Sequence, residues 1–265
     1  AKELKDIKGK RVGFVVGYIS SFAIYITILI YGTMVMRGVS EEKTNRIAEI
    51  IISSVKPFQL MMGKILGIGA VGLTQFFLWI ILIMLFSSAT FMFLPHHVLQ
   101  DAGNAQSQAN AAGLVQSLST INIPLIIICF AFYFIFGYLF YASLFAAAGS
   151  AESEDAQDTQ SLMLPVTMPV VLAIVIMMQA INQPAGSLAT WSSMVPFFSP
   201  VVMMARLPFG VPDTVPVWQL ILSMALLFGG FLFTTWISAK IYRTGILLYG
   251  KKTSWKEMWK WAMRS

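Results

Sequence analysis

The chain has 265 residues, of which 57% are hydrophobic and only 11% carry a formal charge, and its mean hydropathy is +0.74. A soluble domain carries about a quarter charged residues, so a water-exposed fold is excluded and the chain reads as an integral membrane protein. The net charge of +6 comes from basic residues gathered at the two ends and in one internal stretch; they lack the aromatic interleaving of a nucleic-acid surface, and no nucleic-acid partner is expected.

The opening residues 1–11 are too charged for a signal peptide, and with Ala1 at its head the chain is expected to be the C-terminal part of a longer protein. Residues 12–36 are an uncharged run, about 37 Å long as a helix and enough to span a bilayer with some tilt. Residues 37–64 then hold eight of the chain's 30 charged side chains: Arg37, Glu41, Glu42, Lys43, Arg46, Glu49, Lys56 and Lys64. Apolar residues at Ile47, Ile50, Ile51 and Val55 fall near the three-four spacing of a helical face. Glu42 precedes Arg46 by four residues, the favourable order for a helical ion pair, and Pro57 marks a break. This stretch, centred on residues 37–59, predicts a short amphipathic helix at the membrane surface, held between two spans where a soluble partner could push it.

Residues 60–94 form the second expected span, and residues 95–122 a polar external loop without Lys or Arg. Residues 124–150 are the third span, with Pro124 suited to a first helical turn. An acidic connection follows, carrying Glu152, Glu154, Asp155 and Asp158. Residues 161–181 make the fourth span, with Pro165 and Pro169 expected to kink or offset its start. Residues 182–216 are rich in Pro, Ser and aromatics and include Arg206; their apolar pieces are too short to span and read as an interfacial or re-entrant external segment. Residues 217–239 are the fifth span, and the basic tail with Trp255, Trp259 and Trp261 is an expected interfacial anchor. The expected fold is therefore all-α: a polytopic membrane helix bundle of about five spans, in one domain over residues 1–265. Twelve Lys and Arg lie on the side shared by the amphipathic stretch, the acidic connection and the tail, against six on the other, which places the first group in the cytoplasm.

Candidate sites are few. Gly67, Gly69 and Gly72 match G-x-G-x-x-G, but a dinucleotide site needs a preceding strand; Gly63 and Gly67 are read instead as a G-x-x-x-G helix-packing pair. His96, His97 and Asp101 lack a convincing ligand set, and no metal site is expected. Cys129 reads as a packing residue. There is no Walker A sequence, so the chain does not hydrolyse ATP through a P-loop, and no catalytic motif accompanies its serines. No expected span carries an ionisable residue near its middle, which removes the usual mark of a proton relay. Ser20, Ser21, Tyr25, Thr27, Thr74, Gln75, Gln179, Thr234 and Thr235 are expected mostly to form hydrogen bonds between helices.

The run Glu41-Glu42-Lys43-Thr44-Asn45-Arg46, with Glu49, Ser53-Ser54, Pro57-Phe58-Gln59-Leu60 and Gly63-Lys64, resembles the cytoplasmic signature of ABC-2 type permeases, especially the sodium-exporter-like branch. Pro196-Phe197-Phe198-Ser199-Pro200 and the basic close are similar to that group as well. The resemblance implies six spans with a large external domain between the first two, of which this chain lacks the first span and that domain. It further implies a multi-pass protein of the cell membrane, in bacteria the inner membrane, acting as permease of an ATP-driven exporter. Such a permease pairs with a second permease subunit, identical or different, and recruits separate ABC ATPase subunits. ATP and Mg would sit on those partners, with no cofactor on this chain. Residues 41–54 would be the coupling helix, with Glu41, Glu42, Lys43, Arg46 and Glu49 docking the ATPase and Ile47, Ile50 and Ile51 holding the helix to the bundle. A non-transporting scaffold or sensor and an intramembrane enzyme are the alternative readings.

Overall fold

The computed structural model describes residues 2–93, 122–152, 156–248 and 254–263. The external loop with His96, His97 and Asp101, and Glu154 and Asp155 of the acidic connection, lie outside the described residues. All regular structure among the described residues is helical: α1 (Lys2–Thr44), α2 (Ile47–Ile52), α3 (Pro57–Phe93), α4 (Ile123–Ala151), α5 (Ala156–Asn182), α6 (Ser187–Ser192), α7 (Ser199–Arg206), a short 3-10 turn (Leu207–Phe209), α8 (Val217–Gly245) and α9 (Trp255–Met263). Five of these, α1, α3, α4, α5 and α8, are long and apolar enough to cross a membrane, at the places the hydropathy runs predict. With no water in hydrocarbon to satisfy the backbone, helices are the form such segments must take.

α4 is the axis of the bundle. It packs on α1 and α8 along much of its length and also touches α3, α5 and α7. Small residues close its lower half: Ala146, Ala147, Ala148, Gly149, Ser150 and Ala151 are all buried. A methyl group at Gly149 would sit 2.5 Å from the Met36 carbonyl oxygen of α1, and one at Gly245 of α8 would sit 2.8 Å from the Ser150 carbonyl oxygen. Backbone therefore meets backbone on both sides of this turn, and dispersion contacts at short range replace the hydrophobic drive that lipid does not supply. Hydrogen bonds stitch the same helix outward: Tyr133 Oη donates to Ser223 Oγ (2.9 Å), Tyr138 Oη to the Ile65 carbonyl (2.8 Å), and Ser143 Oγ to Thr234 Oγ1 (3.0 Å). On α1, Tyr31 Oη donates to Gln75 Oε1 of α3 at 2.8 Å. Ser20, Thr27 and Thr74 instead return their hydroxyls to their own helix, as polar groups do when no neighbour is in reach.

The packing role expected of Gly63 and Gly67 is not what the structure has: a methyl at either would meet nothing within 4 Å. α3 is the least enclosed of the long helices, and its G-x-x-x-G edge faces away from the described chain. The close approaches fall on Gly69 and Gly72, which lie under the rings of Tyr138 and Tyr31. Gly149→Leu is accordingly expected to lower the thermal stability of the detergent-extracted protein by about 2 kcal/mol, the cost of overpacking less the gain in helix propensity. Gly63→Leu is expected to leave it unchanged, and a melting curve on both variants checks the pair.

Residues 183–216 enter the bundle from the end opposite to α2. Tyr141 Oη donates to the Phe197 carbonyl at 2.6 Å, and Pro200 lies against Gly137 at the midpoint of α4. Ala205 and Pro208 then climb along Gly17 and Gly13 of α1. Every residue of α7 is buried. This is the re-entrant form of the expectation, with broken backbone at membrane depth tolerated because protein surrounds it. Arg206, 1% exposed, ties the segment together. Its Nε donates to the Pro184 carbonyl (2.7 Å), and its terminal nitrogens donate to Ser193 Oγ, Thr190 Oγ1 (3.2 Å) and Gln219 Oε1 (3.1 Å).

Candidate coupling site

The segment between the first two long helices is built differently from its expected form. α1 does not stop at the membrane surface: nothing between Arg37 and Thr44 breaks a helix except Gly38, and the helix runs on to Thr44. Over its full 43 residues it measures about 65 Å, twice the hydrocarbon thickness. The chain turns at Asn45 and Arg46, where Arg46 takes the left-handed conformation (φ 56°). Only Ile47–Ile52 then forms the separate helix α2. Glu41, Glu42 and Lys43 thus belong to the last turns of α1 rather than to a helix of their own.

Two lysines fasten this projection. Lys43 is buried and its Nζ donates to the carbonyls of Ser150 (2.7 Å) and Glu152 (2.9 Å). Those carbonyls close α4, where a helix has unpaired acceptors and the negative end of its dipole. Lys64 of α3 pairs with Glu42 at 2.6 Å and donates to the Gly38 carbonyl at 2.5 Å. The end of α1, the start of α3 and the end of α4 are thereby pinned to one another. Among the residues expected to dock a partner, Lys43 and Glu42 serve this internal latch, whereas Glu41, Arg46 and Glu49 are exposed at the tip. A cavity of about 210 Å³ lies beside the latch, lined by Arg37, Ser40, Glu41 and Glu152 among others.

Of the three isoleucines expected to anchor this helix, Ile51 alone is half-buried. Ile50 is 75% exposed and Ile47 43%, so neither grips the bundle. Ala48 does, fully buried in a cluster with Val35, Val39, Met61 and Ile65, with Ile52 packed against it. A small residue lets α2 lie close, and Ile47 and Ile50 point away from the chain. The latch could not have been found from sequence, because Lys43 and Ser150 are joined only by the fold. Arg206, the one basic residue in residues 182–216, was a visible signal, since such a charge must find partners.

At the same end, α9 covers the bundle. Met258 and Ala262 are buried with Ala147, Ala151, Leu162 and Ile241, and Trp255 Nε1 donates to the Ser161 carbonyl at 3.3 Å. The amphipathic stretch, the connection after α4 and the tail therefore share one end of the molecule, as a count of five spans predicts. Residues 3–240 match the family described as ABC-2 family transporter protein. The chain belongs to the ABC-2 family. Among curated relatives of this ABC-2 chain, the uncharacterized protein YhaP of Bacillus subtilis is 34% identical over 94% of this chain and 54% of its own length. The uncharacterized protein MJ1024 of Methanocaldococcus jannaschii is 28% identical over 93% of this chain and 52% of its own length. The chain thus spans about half the length of the curated relatives it matches. No solved structure matches it significantly.

Proposed function

We propose that this ABC-2 chain is the membrane-spanning permease of an ATP-driven exporter, and that a separate ATPase subunit drives it by gripping the tip of the latched projection. The observation that carries this reading is the Lys43 latch. A contact made at the exposed Glu41, Arg46 and Glu49 is mechanically joined through Lys43 to α4, the helix around which the others pack. A solvated connector would need no such buried cation. The lever end is assigned to the cytoplasm on the excess of Lys and Arg there, where ATP is available. ATP and Mg belong to the partner in this scheme, and a second permease subunit, identical or different, completes a two-fold assembly in the cell membrane.

The test uses the full-length protein, tagged and purified from its native membrane. An ATP-binding-cassette subunit is expected to co-purify, and the Glu41→Lys, Glu49→Lys double variant to lose about tenfold or more of that partner, since close interfacial charge pairs are worth about 1.5 kcal/mol or more each. Both residues are exposed, so insertion should be unaffected. Undiminished recovery of the ATPase with the double variant would remove the docking role. A bound ATPase without transport into inverted vesicles would favour a scaffold or sensor.

A further inference from the structure

A second feature lies on the same end of the molecule but on another flank. An open groove of about 810 Å³ runs between the start of α3 and the last half of α8. Leu232, Thr235, Trp236, Ala239, Lys240, Arg243 and Leu247 follow one face of α8 and line it, and Lys56, Pro57 and Phe58 form the opposite wall. The cations Lys56, Lys240 and Arg243 collect at one end, and the lining contains no carboxylate. The deeper wall is apolar. Leu232 lies eleven residues from Arg243, about 16 Å along the helix, close to the half-thickness of a bilayer's hydrocarbon. Thr235 also lines the groove, but its hydroxyl oxygen is buried away from it. Lys240 Nζ stands 4.2 Å from the centre of the Trp236 ring, which props the ammonium at the rim.

We infer that this groove holds an anionic phospholipid of the lever-side leaflet, its phosphate among Lys56, Lys240 and Arg243, and an acyl chain along Trp236 and Leu232. Charge complementarity selects the anion, since basic pockets between spans at the membrane surface recognise acidic headgroups. The groove's length selects a lipid over a free phosphate, which would leave the apolar wall empty. The inference stands on the membrane fold and does not depend on the proposed exporter activity. Because Lys56 closes the turn between α2 and α3, the bound lipid would brace the root of the lever.

The experiment places the full-length protein in vesicles and reads tryptophan quenching by brominated phosphatidylglycerol against brominated phosphatidylcholine at equal mole fraction. The wild type should be quenched preferentially by the anionic lipid, and Trp236→Phe should remove most of that excess. Each of Lys56→Gln, Lys240→Gln and Arg243→Gln should weaken the preference by roughly fivefold, the value of one basic residue at a charged surface. Equal quenching by the two lipids in the wild type overturns the assignment without any variant. Displacement of the anionic lipid by millimolar glycerophosphoglycerol would equally overturn it, in favour of a soluble anion. So would loss of the preference when the partner ATPase or a second copy of the chain occupies the groove. No competition by the soluble headgroup, with quenching intact, supports the lipid.

Discussion

Under the proposed coupling, replacing Lys43 with Met is expected to leave an ATPase subunit bound while abolishing the response of its hydrolysis to substrate. Met matches the length of the lysine stem and offers no donor. The carbonyls of Ser150 and Glu152 would lose bonds of 2.7 and 2.9 Å, each charge-assisted and worth about 1.5–3 kcal/mol. Buried acceptors left bare then favour separation of the end of α1 from the end of α4. The docking tip at Glu41, Arg46 and Glu49 is exposed and lies outside this contact, so binding and coupling should part company. The measurement is ATPase stimulation by substrate in reconstituted vesicles, with co-purification as the control, and a loss of about tenfold or more is expected for about 1.4 kcal/mol or more of weakened contact. Lys43→Arg should restore part of it, because the cation returns although the planar fork fits two diverging carbonyls less well. Glu42→Gln should do less: its partner Lys64 keeps the Gly38 carbonyl, and the amide oxygen of Gln can still accept from the ammonium. Full coupling in Lys43→Met would show that force reaches the bundle by another route.

The helical spans were legible because hydrocarbon leaves the backbone one economical solution, and apolar runs of sufficient length announce it. The faces of those helices were not. In water an apolar stripe points to the core; in a membrane protein it need not, and Ile47 and Ile50 are exposed while Ala48 took the contact. The glycine motif failed for the same reason. G-x-x-x-G marks an edge that permits close approach, but nothing in the spacing said that Tyr138 and Tyr31 would settle over Gly69 and Gly72 instead of a helix over Gly63 and Gly67. The first span was bounded at residue 36 because the uncharged run ends there. Helix formation does not stop there, because Arg, Glu and Lys are good helix formers, and α1 continued for two more turns. The charged residues from Glu41 to Glu49 do gather around the turn between α1 and α2. Which of them face outward depended on α4, which begins its part in the site more than a hundred residues later.

Arg206→Met is expected to destabilise the protein more than any substitution at the lever, by about 3–5 kcal/mol, the usual cost of stripping one member from a buried charged network. The guanidinium stays protonated under all ordinary conditions, yet every partner the structure gives it is neutral: two hydroxyls, one amide oxygen and one peptide carbonyl. Dipoles aimed inward replace the missing counter-ion. They come from three separate places, the loop after α5 (Pro184), the region of α6 (Thr190, Ser193) and α8 (Gln219), so one side chain fixes three pieces of backbone that make no sheet or long helix together. The network extends further, since the Ser193 carbonyl accepts from Ser223 Oγ at 2.7 Å and Ser223 accepts from Tyr133 of α4. Removing the arginine strips a donor from four acceptors at once, those on Ser193 and Gln219 in buried bonds, and frees α7 from its slot against α1. Lysine should not rescue it, because a single ammonium cannot reach partners placed around a planar fork. The expected readout is a fall of roughly 10 °C in melting temperature for both Arg206→Met and Arg206→Lys, with the coupling tip still able to bind its ATPase in protein that survives extraction. A stable Arg206→Lys variant would mean that the charge alone, and not the geometry of its five donors, holds the re-entrant segment in the membrane.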